Sequence, residues 1–438
     1  MTDAAVTTFT LSNGLKVMLK EIHTVPLISH WVWYRVGSRD EQPGETGISH
    51  WVEHMQFKGT DLFPEGVLDK AISRDGGFWN AMTYLDWTAY YETLPAEHVE
   101  LALALESDRM INSHFDPEEV ESERTVIISE LEGGKNQPLN RLSDAVQAAC
   151  FDLHPYRNEV IGSQEDLMSI QRDDLYRYYR GNYCPNNAIL AIAGDFETAA
   201  MRALVERYFG DIPRYEHPVV ELPDDAPLQG QRVVELEGPG ETAYLQLAYR
   251  APRGNSRDFF SLMLMDSILT GPTSLNLFSA GITNKTSRLY RSLVMTRQTV
   301  SVDGSLSATI DPYMYDITAT LHPSSNFETV LTTIDAEIHR LQTELVPMDE
   351  LKRAIKQQRA MLAYSNENIT NQAFWLGFAE MYASYEDWYL HFIETLESIT
   401  PEEVQRAALQ YLQPDMRVVG KYIPNHAPAE EVVDDDAE

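Results

Sequence analysis

Ser169-Ile170-Gln171-Arg172-Asp173-Asp174-Leu175-Tyr176-Arg177, with Pro185 beyond it, returns 229 positions later as Ser398-Ile399-Thr400-Pro401-Glu402-Glu403-Val404-Gln405-Arg406, with Pro414 beyond. A second pair agrees to within two residues: Pro117-Glu118-Glu119-Val120 and Pro347-Met348-Asp349-Glu350-Leu351, each leading into an amphipathic stretch. Ser, Pro and acidic residues also recur at helix starts for capping reasons. Shared register at two places reads further, as an internal repeat and hence two homologous halves. Between them, Pro213, Pro218, Pro223 and Pro227 with Asp224-Asp225 mark an extended linker. The expected organisation is a first half over 1–212, a linker over 213–227, a second half over 228–426, and a disordered acidic tail over 427–438 carrying Asp434-Asp435-Asp436.

Within each half the apolar period switches between two and 3.6. Leu15 to Leu19, Ile28 to Val36, Thr88 to Leu94 and Ala188 to Ala193 read as strands. Ser49 to Phe57, Val99 to Ile111 and Val120 to Leu131 read as helices. The second half opens alike, with strands over Arg232 to Leu236 and Thr242 to Tyr249 and a helix over Arg257 to Leu269. No strict βαβ rhythm and no phosphate-binding glycine loop is present. The fold class is therefore α+β: two α/β-sandwich halves, each an antiparallel-rich sheet covered by helices.

The 438 residues carry 34 basic against 67 acidic side chains, a net charge of −33, which argues against nucleic acid and anionic membranes as partners. Such an excess would draw cationic peptides or serve solubility. A 43% apolar share excludes disorder for most of the chain. Only Cys150 and Cys184 are present, so any metal must use His and carboxylate. The start, Met1 to Val6, lacks a basic and then apolar leader, and no long apolar run follows. A cytoplasmic protein is expected, or a periplasmic one had a leader been removed.

The chemistry concentrates in His50-Trp51-Val52-Glu53-His54. At 100° per residue, the three polar side chains fall at about 0°, 300° and 40°, on one helix face. Both imidazoles reach one ion, and Glu53 sits beside it as a general base would; neutral His with a carboxylate suits Zn²⁺. A third protein ligand is needed. The helix after Pro117 offers Glu121, Glu123, Glu130 and Glu132, of which Glu123 and Glu130, seven apart, share a face. One can ligate while the other supports, and periodicity leaves the choice open; without the His pair this run would read as a solvated acidic face.

The inverted His-x-x-Glu-His order resembles the pitrilysin-type (M16) zinc peptidases, the inverzincins. The resemblance extends through Gly37-Ser38-Arg39-Asp40-Glu41, Gly47-Ile48-Ser49, Met55-Gln56-Phe57-Lys58-Gly59-Thr60, Gly76-Gly77-Phe78-Trp79-Asn80-Ala81-Met82-Thr83, Glu123-Arg124, His154-Pro155-Tyr156, Ile161-Gly162 and Pro185-Asn186-Asn187. It covers nearly the whole chain and is strongest through residue 215. It implies that His50, His54 and Glu130, which lies 76 residues beyond His54, hold one zinc ion, with Glu53 the base and Glu123 a carboxylate behind the ligands. It also implies endopeptidase activity on unfolded peptides or short proteins. The peptide would be held as an added strand along Gly77, Phe78, Trp79, Asn80 and Ala81. In such proteins only the first half keeps the metal, and Ser279-Ala280-Gly281-Ile282-Thr283, 229 residues beyond the motif, has no ligand chemistry.

One departure bears on partners. Members of this family complete the site with an Arg and, seven residues on, a Tyr. The matching segment here, Ser287-Arg288-Leu289-Tyr290-Arg291-Ser292-Leu293-Val294, puts Val294 and Ser301 at those places. The resemblance then implies a heterodimer whose homologous partner supplies Arg and Tyr. The alternatives are a homodimeric peptidase and a noncatalytic assembly or peptide-binding subunit. The segment Gly271 to Thr286, where noncatalytic partner subunits carry a glycine-rich loop, is poor in Gly and is given no role.

Overall fold

The computed structural model describes residues 5–74, 76–216, 221–223, 225–276 and 285–425. Ser279 to Thr283, the acidic tail, Pro218 and Asp224 lie outside them. The first half builds a six-stranded sheet from β1 (Val6–Thr10), β2 (Lys16–Glu21), β3 (Leu27–Tyr34), β4 (Phe78–Thr83), β5 (Thr88–Pro95) and β6 (Ala188–Gly194), in the order β1-β2-β6-β3-β5-β4. The second builds five strands, β7 (Arg232–Pro239), β8 (Tyr244–Arg250), β9 (Thr299–Leu306), β10 (Met314–Leu321) and β11 (Arg417–Asn425), in the order β7-β11-β8-β10-β9. Without β1 the two orders are the same. Each sheet has one parallel pair, β2 with β6 and β7 with β11, and is otherwise antiparallel. The chain is thus α+β with two like halves. The repeated segments form equivalent helices, Arg172–Asn182 and Pro401–Tyr411, each feeding the parallel strand of its sheet. Their acidic residues also cap: the Gln171 backbone N–H donates to Asp174, and that of Thr400 to Glu403.

Period-two alternation splits the first sheet into two faces. Val17, Leu19, Val32, Tyr34, Leu190 and Ile192 pack against Trp51, Val52 and Met55 of the helix Ile48–Met55. On the opposite face, Trp31 and Trp33 meet Phe374 at ring separations of 5.6 and 5.3 Å. Phe374 belongs to the second half, on the helix Ile369–Tyr382. The exchange is reciprocal: the first-half helix Pro138–Cys150 lays Leu142, Val146 and Cys150 on Ala248, Val418 and Tyr422 of the second sheet. Glycines allow both approaches, because a Cβ on Gly377 would lie 2.1 Å from Trp33 Nε1 and one on Gly420 would lie 2.3 Å from Val146 Cγ2. Lys16 pairs with Glu380, and Trp87 Nε1 donates to Tyr382 Oη at 2.9 Å, across the same joint. Among the described residues no helix is long and apolar enough to cross a membrane.

Candidate metal centre

The helix Ile48–Met55 starts at Gly47, which has no side chain to cap it. Its first N–H groups are met from a distance by Glu41, whose two oxygens accept from Gly47 N and Ser49 N, both at 2.9 Å. Burial pushes this carboxyl up to about 8, against the pull of those N–H donors. Ile48, Trp51, Val52 and Met55 enter the core, so helical spacing turns His50, Glu53 and His54 the other way.

The long helix Pro117–Lys135 begins under an Asp116 cap and runs alongside. Its Val120, Ile127 and Leu131 are buried, and Arg124 locks the two helices together. The Arg124 guanidinium lies 4.6 Å from the Trp51 ring centroid and donates to the Ile170 carbonyl at 2.9 Å. Of the four candidate acids on this helix, Glu121 is taken by Arg124 at 2.8 Å and Glu132 is exposed. Glu123 and Glu130 face the imidazoles from different directions.

His54 Nδ1 stands 2.8 Å from Glu123 Oε1, and its Nε2 stands 3.7 Å from Glu130 Oε2. His50 Nε2 is 4.0 Å from the same Glu130 oxygen. The three donor atoms of His50, His54 and Glu130 all lie within 4.8 Å of one another. Zinc bonds of about 2.0–2.2 Å in a tetrahedron put donor atoms about 3.3–3.6 Å apart, so this set needs only a small contraction to grip one ion. Two nitrogens and one carboxylate oxygen are a zinc donor set, with room for a fourth ligand.

The electrostatics agree. Burial and the neighbouring His54 push the His50 imidazole down to about 3, which keeps it in the neutral form a metal ligand needs. Burial presses the same way on His54, but the Glu123 hydrogen bond and the carboxylates of Glu53 and Glu130 outweigh it and raise its pKa. Glu123 is held at about 2, first by His54 and then by Lys58, whose Nζ lies 2.8 Å from its second oxygen. An ionised carboxylate on the far nitrogen of an imidazole fixes its tautomer and leaves Nε2 free toward Glu130. Glu53 is buried, burial raises its pKa, and its Oε2 accepts from Thr83 Oγ1 at 2.7 Å.

Thr83 ends β4, the outermost strand of the first sheet, which pairs only with β5 among the described residues. Along β4, the Trp79 ring lies 4.7 Å from that of Phe57, the planes tilted by 42°, while Phe78 stays half exposed. Gly77 precedes the strand; Asn80 and Ala81 lie within it. Sequence reasoning assigned no role to Thr83, Lys58 or Glu41, although each stood inside a quoted motif. Their roles depend on contacts between elements that spacing does not reveal. In the second half, Arg288 is committed to Glu350 and Ser301 Oγ to Thr320, so no guanidinium and phenol pair occupies positions 294 and 301. His154 and Tyr156 serve the joint between the halves: His154 Nε2 lies 3.3 Å from Asp311, and Tyr156 Oη, which donates to Asp86 of its own half at 2.5 Å, accepts from Asp311 N at 3.3 Å.

Comparison with known proteins identifies the family. Residues 16–164 match the insulinase (peptidase family M16) model, and residues 169–358 match the peptidase M16 inactive domain. A zinc protease of Mycobacterium leprae is 27% identical over 93% of this chain and 90% of its own length. The beta subunit of the mitochondrial-processing peptidase of Lentinula edodes is 26% identical over 92% of this chain and 86% of its own. A zinc protease of Bacillus subtilis matches at 28% identity across 62% of this chain, which spans 65% of that relative. In fold, a protease from Helicobacter pylori superposes with a TM-score of 0.88 at 22% identity, covering 96% of this chain and 100% of that one. Two family models in tandem over like halves, relatives named as zinc proteases, and the shared fold make this chain a member of peptidase family M16.

Proposed function

We propose that the chain is a zinc-dependent endopeptidase subunit. Residues 1–212 hold the metal, and residues 228–426, joined through 213–227, form a metal-free half. The observation that carries the reading is the convergence of His50, His54 and Glu130 within 4.8 Å beside a buried Glu53. His50, His54 and Glu130 would hold Zn²⁺, which when bound polarises a peptide carbonyl and acidifies water toward a pKa of about 7. Glu53 then takes a proton from the attacking water and returns it to the leaving amine nitrogen. Thr83 fixes the Glu53 carboxylate for both transfers, and its raised pKa suits a group that must gain and lose a proton. Gly77, Phe78, Trp79, Asn80 and Ala81 present the outer edge of the sheet, where an extended peptide adds as a strand through main-chain hydrogen bonds. That mode of binding favours unfolded peptides and short proteins.

Glu53→Gln tests the assignment: zinc content is retained while peptide hydrolysis falls at least about a thousandfold. Loss of zinc with the activity, or retention of the activity, refutes it. The missing Arg and Tyr support a heterodimer in which a homologous subunit contributes both, and one curated relative is itself named as a subunit. Purified alone, the chain should turn over peptides at a small fraction of the rate of material co-purified with a second polypeptide. Full activity of the single chain, as monomer or homodimer, overturns the heterodimer.

A further inference from the structure

In a chain of 67 acidic and 34 basic residues, one pocket in the second half reverses the local sign. It has a volume of about 450 Å³ and is walled by Arg288, Arg291, Arg340 and Arg353 against Glu337, Asp349 and Glu350. Three segments meet there: the turn before β9, the end of the helix Phe327–Thr343, and the start of the helix Met348–Tyr364. None of its residues belongs to the metal centre.

Glu350 is nearly buried and is gripped by Arg288 alone, through Nε at 3.2 Å and Nη2 at 2.7 Å. Arg291 and Arg353 approach the same carboxylate only to 3.8 and 3.5 Å, which is ion-pair range without a hydrogen bond. Arg291 donates Nε to the Ser287 carbonyl at 3.3 Å, and the Arg353 guanidinium makes no hydrogen bond among the described residues. Arg288 Nη1 is buried with no hydrogen-bond partner among the described residues. One carboxylate therefore faces three guanidiniums, and most of the outward N–H donors of two of them go unmatched. The wall carrying Arg291 and Ser292 is a π-turn over Tyr290–Val294, a widened backbone form that concentrates at functional sites.

We propose that this pocket is an oxyanion site, taking a phosphate or carboxylate group between the forks of Arg291 and Arg353; Arg340 also lines it but is held by Glu344 at 3.1 Å. Planar guanidiniums match such groups two hydrogen bonds at a time. The ligand is either free phosphate or the carboxylates of an acidic polypeptide segment.

The full chain is titrated calorimetrically with inorganic phosphate and, separately, with a hexaglutamate peptide, at ionic strength held constant with chloride. Saturable binding of either is expected, and the ligand that binds identifies the source. In the single variants Arg291→Gln and Arg353→Gln, both on substantially exposed side chains, affinity falls about tenfold each. Lys at either position restores part of it, by returning the charge without the fork. Arg359→Gln, which lies outside the pocket and pairs with Glu397, leaves affinity unchanged. No saturable binding of either probe, or equal binding by the Gln variants, overturns the assignment.

Discussion

Replacing Glu123 by Gln isolates how the metal centre is supported. The amide keeps an oxygen where Oε1 now stands 2.8 Å from His54 Nδ1, so the hydrogen bond and the tautomer survive and only the charge is lost. Lys58 retains Glu65 at 3.2 Å and Glu119 at 3.4 Å, which keeps the local structure tied. Across the imidazole, an ion held by His54 Nε2 would sit about 6.5 Å from that oxygen, adding zinc bond lengths to the ring span. For charges of +2 and −1 over an effective dielectric constant of about 40–80, the attraction lost is about 1.3–2.6 kcal/mol. Zinc affinity therefore falls about tenfold to a hundredfold, the range seen when partners behind metal-binding histidines are removed. Competition against a chromogenic chelator at neutral pH measures it, with Glu121→Gln as the comparison because that carboxylate faces Arg124 instead. A change below threefold for Glu123→Gln, or an equal change for both variants, would refute the reasoning.

Two further predictions concern stability. Asp144 lies on a cavity of about 350 Å³ beside Glu130, and burial together with Glu159 raises its pKa from 3.8 to about 7. Between those values the folded chain keeps a proton that the unfolded chain releases, so this residue lowers stability as pH rises from about 4 to 7. Asp144→Asn should raise the melting temperature at pH 8 and leave it nearly unchanged at pH 4; an equal shift at both would exclude the linkage. At the joint, Gly377→Ala drives a methyl group into the Trp33 indole and should cost about 2–3 kcal/mol in denaturant unfolding, whereas an unaltered midpoint would show that the two elements separate freely.

Much of this architecture could be read from residue patterns. The helix over Arg257 to Leu269 falls where periodicity puts it, and β3, β5 and β6 differ from their expected spans by one or two residues. These segments are long and strongly patterned, so local signals suffice. β1 escaped notice because Val6–Thr10 is a short edge strand of half-exposed Thr and Val with little alternation. The His50, Glu53 and His54 face follows from helix geometry alone, yet the choice of Glu130 over Glu123 came only with the family resemblance. In space the reason is plain: Glu123 reaches the back of His54, while Glu130, two turns on, reaches its front. The cap from Glu41, the hydroxyl of Thr83 and the ammonium of Lys58 each act across a gap between elements. No spacing rule encodes such meetings, because the packing of whole sheets and helices sets them.

The crossed helices have a consequence for the second half. The motif helix lies on one side of the first sheet, and its other side is roofed by Ile369–Tyr382, a borrowed element. Without that roof, Trp31 and Trp33 would be laid bare to water behind the face that carries His50, Glu53 and His54. Each half is in this way scaffolding that its sibling cannot shed, and the loan runs in both directions.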